Sequence, residues 1–344
     1  MKTVLVTGGA GFIGSNFVHH IWAKYPDYRI IVLDLLTYAG SPENFPVQTQ
    51  VMGDSRFQFW FGDVCNGELV DTLVGQSDIV IHFAAESHVT RSIYDNQVFF
   101  RTDVMGTQCI ANAVLKYRDR VERFVHISTS EVYGTAEMEK MTEDHPLKPL
   151  SPYASAKCGA DRLVWSYCAT YDIPAVIIRP FNNYGPRQHL EKVVPRFITS
   201  VLLDEPLTVH GDGSAARDFV YVEDNCNAID MVIHADLSLV KGKVFNVGSE
   251  VHRSVLDIAR DVVSLMNGDS GKIQLVGDRP GQVFRHTADT GLIQSVLGWK
   301  AGMSWEDGLS RTIQWYKDNM SWWQKQIWMR HVPIVTAAGK KELH

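Results

Sequence analysis

The chain has 344 residues, 45% of them apolar and 21% charged, with a formal net charge of −6. These values fit a soluble globular protein of one large or two ordinary domains with a sizeable core. They argue against a basic nucleic-acid binder or a polybasic membrane patch, and no run approaches the ~18 apolar residues that cross a bilayer. The first residues begin a strand with no secretory pattern, and Cys65, Cys109, Cys158, Cys168 and Cys226 show neither CxxC spacing nor a His cluster. Reduced, packed thiols in a cytoplasmic protein without a metal site are expected.

In chain order, a β-rich run at 3–6 leads into the glycine segment Gly8 to Gly14, and a helix follows over 13–25. Apolar strands are expected at 29–34, 57–61, 79–83, 124–128 and 175–179, with helices over 102–117 and 152–171. Near-continuous apolar strands alternating with helices predict an α/β fold with a buried parallel sheet, doubly wound in the Rossmann manner. After Pro180 the loops lengthen, the strands shorten and aromatics gather. This texture predicts a Rossmann-type domain over 1–180, with a returning segment near 218–236. A smaller α/β substrate domain over 181–325 and a loose tail over 326–344 complete the layout.

Gly8, Gly11 and Gly14 stand in a G-x-x-G-x-x-G spacing between a strand and a helix. Glycine permits φ > 0 and close approach of a pyrophosphate, and the helix N-terminus at Phe12 and Ile13 points its amides at the phosphates. Asp34 ends the second strand, 20 residues after Gly14. An acid there bonds the adenosine ribose and repels a 2′-phosphate, so NAD is expected over NADP. Asp63 and Val64, ending the third strand, are candidates for adenine contact. Ala84 and Ala85, ending the fourth, are small enough to let the cofactor pass.

Tyr153 and Lys157 are four apart on the helix expected at 152–171, so they share a face. A free tyrosine has a pKa of about 10 and is a poor base. A nearby ammonium and the positive nicotinamide favour the phenolate and suit Tyr153 to take a hydroxyl proton. Lys157 can also bond the nicotinamide ribose. Ser128, Thr129 and Ser130 can hold the hydroxyl being oxidised. Glu131 is useful if a proton must also leave carbon while a neighbouring hydroxyl departs. Its plain alternative is a solvated or capping glutamate.

With these motifs in place, the sequence resembles the extended short-chain dehydrogenase/reductase family, and within it the nucleotide-sugar 4,6-dehydratases, the dTDP-glucose enzymes nearest. Further matching segments are Leu36-Thr37-Tyr38-Ala39-Gly40, Ala85-Glu86-Ser87-His88-Val89, Asn182-Asn183-Tyr184-Gly185-Pro186, Glu191-Lys192 and Asp278-Arg279-Pro280-Gly281. The resemblance implies C4 oxidation of a nucleotide-hexose by NAD, loss of water across C5 and C6 with Glu131 as base, and hydride return to C6. Arg217 and Arg279 carry forked cations suited to two phosphates. Asn183 and Lys192 add donors, and Ser87, His88 and Arg91 fall where the sugar would lie. His82 is expected in the core. A homodimer is implied, through a four-helix contact made by the helices at 102–117 and 152–171.

Three positions depart from the dTDP-glucose pattern. Ser130 stands where an aspartate acts as acid for the C6 hydroxyl, Phe219 where tryptophan is usual, and Gln282-Val283 where His-Asp is usual. The first expectation is a dTDP-glucose 4,6-dehydratase. Alternatives are a UDP-glucuronate decarboxylase, with Arg187 meeting the C6 carboxylate, a dehydratase of a UDP- or GDP-N-acetylhexosamine, and a nucleotide-sugar 4-epimerase.

Overall fold

The computed structural model describes residues 1–50, 55–277, 283–335 and 341–343. Its apolar runs form strands Thr3–Thr7 (β1), Arg29–Asp34 (β2), Phe57–Phe61 (β3), Ile79–His82 (β4), Arg123–Ile127 (β5) and Ala175–Pro180 (β6). Then come Asn182–Tyr184 (β7), Leu207–His210 (β8), Ala216–Tyr221 (β9), Val244–Val247 (β10), His252–Ser254 (β11) and Ile273–Val276 (β12). The main sheet has seven strands in the order β10-β6-β5-β4-β1-β2-β3. Every neighbouring pair in it is parallel.

Alternate residues of these strands feed two cores. Val4, Val6, Ile30 and Val32 face helices Phe12–Lys24 and Val222–His234. Leu5, Ile31 and Leu33 face helices Gly67–Val74, Thr107–Lys116 and Pro152–Tyr171. The strand order reverses between β1 and β4. A crevice therefore opens at their carboxyl ends, the usual ligand position of such a sheet.

A further core gathers β8, β9 and helices Val193–Leu202, Val255–Leu265 and Trp305–Asp318. Trp322 and Trp323 belong to it, and Trp322 Nε1 donates to Asn44 Oδ1 at 2.8 Å.

The sequence-based elements and the structure differ in three places. β10 joins the main sheet beside β6 from well beyond residue 180. The helix expected over 102–117 begins as a π-helix, Phe100–Gly106, before continuing as Thr107–Lys116. The tail, expected to be loose, contains an antiparallel pair, Pro333–Val335 with Lys341–Leu343. Among the described residues no helix is long and apolar enough to cross a membrane.

Candidate active site

β1 ends at Thr7 and the chain turns at once. Gly8 has φ +68°, and a Cβ there would lie 2.5 Å from the Ala84 nitrogen beyond β4. Gly14 packs back on the turn, where a Cβ would run into the Gly8 carbonyl. Gly11 is different. Its Cβ would touch the Gly8 oxygen alone, at 3.3 Å, and otherwise stand in open space at the cleft wall. Gly11 is also the N-cap of helix Phe12–Lys24, and no side chain caps that end. The first-turn amides around Phe12 and Ile13 thus remain for an anionic ligand. A bare cradle with an uncapped helix end fits a dinucleotide pyrophosphate.

The cleft continuing from this cradle encloses about 460 Å³ and runs between the main sheet and the β8–β9 region. Gly8, Gly11, Phe12, Ile13, Gly14, Asp34, Asp63, Val64, Ala84 and Ala85 line one end. Asp34 is tied down by the Ala10 amide at 2.9 Å and the Leu36 amide at 2.8 Å. Burial pushes its carboxyl up while these two bonds pull it down. Asp63 accepts from the Cys65 amide and from Arg101 Nη2.

Ser128, Thr129, Ser130, Glu131, Tyr153 and Lys157 line the middle. Helix Pro152–Tyr171 starts at Ser151, whose hydroxyl accepts from the Ala154 amide at 3.1 Å. One turn in, Lys157 Nζ donates to the Ile127 carbonyl at 2.7 Å, fixing the helix to the end of β5. The Thr129 hydroxyl beside Tyr153 favours its phenolate. Burial nonetheless pushes the Tyr153 phenol above its ordinary value, and the carboxylates of Asp103 and Glu131 push the same way. The expected lowering by Lys157 is thus not produced by these side chains alone. The Lys157 ammonium is turned to a backbone carbonyl, lowered by burial and balanced by Asp103 and Asp161.

Ser130–Tyr133 form a short 3₁₀ turn capped by Thr129, whose hydroxyl accepts from the Glu131 amide at 3.2 Å. Glu131 Oε1 lies 4.0 Å from Arg217 Nε and 3.9 Å from His286 Nδ1. Ser130 Oγ lies 3.3 Å from the same His286 nitrogen.

Ser87, His88, Asn183, Lys192 and Arg217 line the far end. Lys192 Nζ donates to the Ser87 carbonyl at 2.9 Å. Asn183 Nδ2 donates to the Phe181 carbonyl, leaving its buried Oδ1 without a partner. Arg279, with Gln282, lies outside the described residues. Arg187 is not a wall residue of the cleft: its Nη2 donates to Asn16 Oδ1 at 2.6 Å, behind helix Phe12–Lys24. His82 is buried in the sheet, between Thr7 Oγ1 and Thr107 Oγ1.

Three residues escape the sequence reading. Glu191 is buried at the cleft wall, accepting from Tyr38 Oη at 2.9 Å and Arg91 Nε at 3.2 Å. Burial opposes its charge, but Lys192, His88, His189 and Arg91 outweigh it and hold the carboxyl low. Its motif is visible in sequence, its role as a hub is not. Asp103 sits in the π-helix with Oδ1 accepting from the Glu86 amide at 2.8 Å and Oδ2 buried without a partner. His286 carries no sequence signal at all. Among the described residues, no group of His, Cys, Asp and Glu side chains could hold a metal.

A model of the family described as GDP-mannose 4,6 dehydratase matches residues 5–312. The low-salt glycan biosynthesis protein Agl12 of Haloferax volcanii is 44% identical, over 91% of this chain and 98% of its own length. The dTDP-glucose 4,6-dehydratase of Mycobacterium tuberculosis is 40% identical, over 93% and 95%. Among solved structures, the dTDP-glucose 4,6-dehydratase DesIV of Streptomyces venezuelae, crystallised with NAD, superposes with a TM-score of 0.88 at 39% identity. That match covers 94% of this chain and 99% of DesIV.

Proposed function

The chain belongs to the nucleotide-sugar 4,6-dehydratase branch of the short-chain dehydrogenase/reductase family, and from that premise we propose that it converts a nucleotide-diphosphate hexose, dTDP-glucose first, to the 4-keto-6-deoxy sugar. It is an NAD-dependent hydro-lyase. What supports the proposed chemistry is the single cleft that brings Glu131 and Ser130 beside Tyr153, Lys157 and the glycine cradle. An alcohol dehydrogenase needs the last three; Glu131 adds a carboxylate that an elimination can use as base.

Bound NAD supplies the hydride acceptor for C4 and the donor for C6. Gly8, Gly11 and the first-turn amides would hold its pyrophosphate, and Asp34 its adenosine ribose. Tyr153 takes the C4 hydroxyl proton, with Thr129 beside its phenol. Lys157, one turn along the helix and held at the Ile127 carbonyl, would bond the nicotinamide ribose. The C4 ketone acidifies C5, and Glu131 removes the C5 proton as water leaves C6. Arg217, beside Glu131, balances the carboxylate and reaches toward the diphosphate. The decarboxylase alternative loses its candidate cation, since Arg187 faces Asn16.

A mass-spectrometric panel of dTDP-glucose, UDP-glucose, GDP-mannose, both N-acetylglucosamine nucleotides and UDP-glucuronate tests the proposal. Loss of one water from a hexose nucleotide, without added NAD, is the expected result. Loss of carbon dioxide from UDP-glucuronate alone would overturn it. We further propose a homodimer, formed by the helices flanking residues 100–117 and 152–171. Phe100, Met105, Trp165 and Tyr171 are exposed there.

A further inference from the structure

Resting on the dehydratase reading above, we propose that His286 works through Ser130 as a proton relay, carrying the proton that Glu131 takes from C5 to the hydroxyl leaving C6.

The hydrogen bonds fix the roles. His286 Nε2 lies 2.6 Å from the Gly134 carbonyl oxygen. A carbonyl only accepts, so Nε2 carries the proton and Nδ1 is left as an acceptor. Ser130 Oγ, 3.3 Å away, is therefore the donor to Nδ1. The same Nδ1 lies 3.9 Å from Glu131 Oε1. One nitrogen thus faces both the base and the hydroxyl. His286 is fully buried and is not a wall residue of the cleft, whereas Ser130 and Glu131 are. It reaches a substrate only through them. Gly134, at φ +72°, closes the turn that carries Ser130 and Glu131, so all the partners hang on one backbone segment.

The charges suit a relay. Burial pushes the His286 pKa down to about 4, with Arg217 and His145 acting the same way and Glu131 and the Gly134 bond opposing. At neutral pH the ring is uncharged and its Nδ1 is an acceptor. Once protonated it is about as acidic as a carboxylic acid and passes the proton on. A serine hydroxyl without such a partner is a poor acid, which is the difficulty raised by Ser130 at a position where aspartate is usual.

The balance closes without another reactant. Glu131 takes the C5 proton, the C–H electron pair becomes the C5–C6 double bond, and the C6–O bond breaks. The Ser130 hydroxyl turns its hydrogen from Nδ1 to the leaving oxygen, the Nδ1 lone pair so freed takes the proton from Glu131, and Nδ1 hands it to Ser130 Oγ as Ser130 gives its own to that oxygen. Water departs and all three side chains return to their starting state. The Glu131–His286 gap closes by about 1 Å in this scheme, as catalytic hydrogen bonds commonly tighten on substrate binding.

The test uses whole enzyme and the sugar nucleotide that the wild type dehydrates, in single turnover in heavy water, read by mass spectrometry. His286→Gln keeps a donor for Gly134 but cannot relay. It should slow elimination by about 100-fold while C4 oxidation persists. The 4-keto hexose should then accumulate, carrying deuterium at C5. Adding Ser130→Asp to that variant supplies an acid directly and should restore elimination. Wild-type turnover by His286→Gln, or equal loss of oxidation and elimination, would overturn the relay. Absence of wild-type dehydration on any hexose nucleotide would instead overturn the reading on which it rests.

Discussion

Gly11 and Gly14 have the same letter and different reasons for it. A Cβ on Gly14 would collide with the Gly8 carbonyl and approach the Gly9 Cα to 2.9 Å, so alanine there must displace the turn itself. Gly11 has φ −78° and ψ 179°, which any residue adopts, and its Cβ would meet one atom, the Gly8 carbonyl oxygen at 3.3 Å, a tight contact far milder than that at Gly14. Gly11→Ala should therefore cost no more than about 1 kcal/mol of stability, yet weaken NAD about tenfold, some 1.4 kcal/mol. Gly14→Ala should lower both. Calorimetric titration of cofactor-stripped protein beside thermal unfolding separates the two, and unchanged NAD affinity in Gly11→Ala would remove the cradle assignment. Residues with local spacing were legible from sequence: the three glycines, Tyr153 with Lys157, and Ser130 with Glu131. His286 was not, because it meets Ser130 across 156 positions of chain and has no periodic partner. Asp103 was hidden for the same reason, and Glu191 was visible as part of Glu191-Lys192 but not as the partner of Tyr38 and Arg91, which lie 153 and 100 positions away.

Among elements, strands buried on both faces were the easiest to find, since each is an unbroken apolar run. β10 shows the limit. It is four residues long, Val244–Val247, and lies where the texture of the chain had already changed, so only its register on β6 reveals the sheet it joins. The π-helix at Phe100–Gly106 was illegible too, since an i→i+5 turn leaves no pattern distinct from a helix. That segment and helix Pro152–Tyr171 pack together and leave Met105 and Trp165 about half exposed, at 52% and 47%. Large apolar side chains so placed on neighbouring helices suit an isologous contact. Met105→Glu with Trp165→Glu should convert a dimer to a monomer in light scattering while the far-ultraviolet dichroism stays unchanged. A wild-type mass of one chain would end the dimer proposal.

Over the whole molecule, the helix that returns the chain from the β8–β9 region to the Rossmann sheet packs there by Val222, Ile229, Val232 and Ile233 and is clamped by one carboxylate. Asp230, on helix Val222–His234, accepts from His20 at 2.8 Å and Tyr25 Oη at 2.7 Å, and pairs with Lys24 and His234. His20 and Lys24 belong to helix Phe12–Lys24, so the cluster clamps two helices that are some two hundred residues apart. The sequence led us to expect a returning segment near 218–236 but not this clamp, whose members are polar residues far apart in the chain. Burial would raise the Asp230 carboxyl, yet the bonds from His20, His234, Lys24 and Tyr25 outweigh it and hold it far below the usual carboxylate range. A depressed carboxylate stabilises the fold above its unfolded pKa and ceases to do so as pH falls through the folded one. His234 is shifted the other way, upward from 6.5, chiefly by its bond to Asp230. Its contribution is complete below about 6.5 and fades as pH rises past the folded value. The clamp should thus be strongest between about pH 4 and pH 6.5. Asp230→Ala should cost about 1–2 kcal/mol there, since the cations it leaves behind are partly solvated, and less toward either end. Denaturant unfolding of both proteins across pH 3 to 9 checks the shape. A cost that is flat with pH would mean that Asp230 holds the helices by packing rather than by charge.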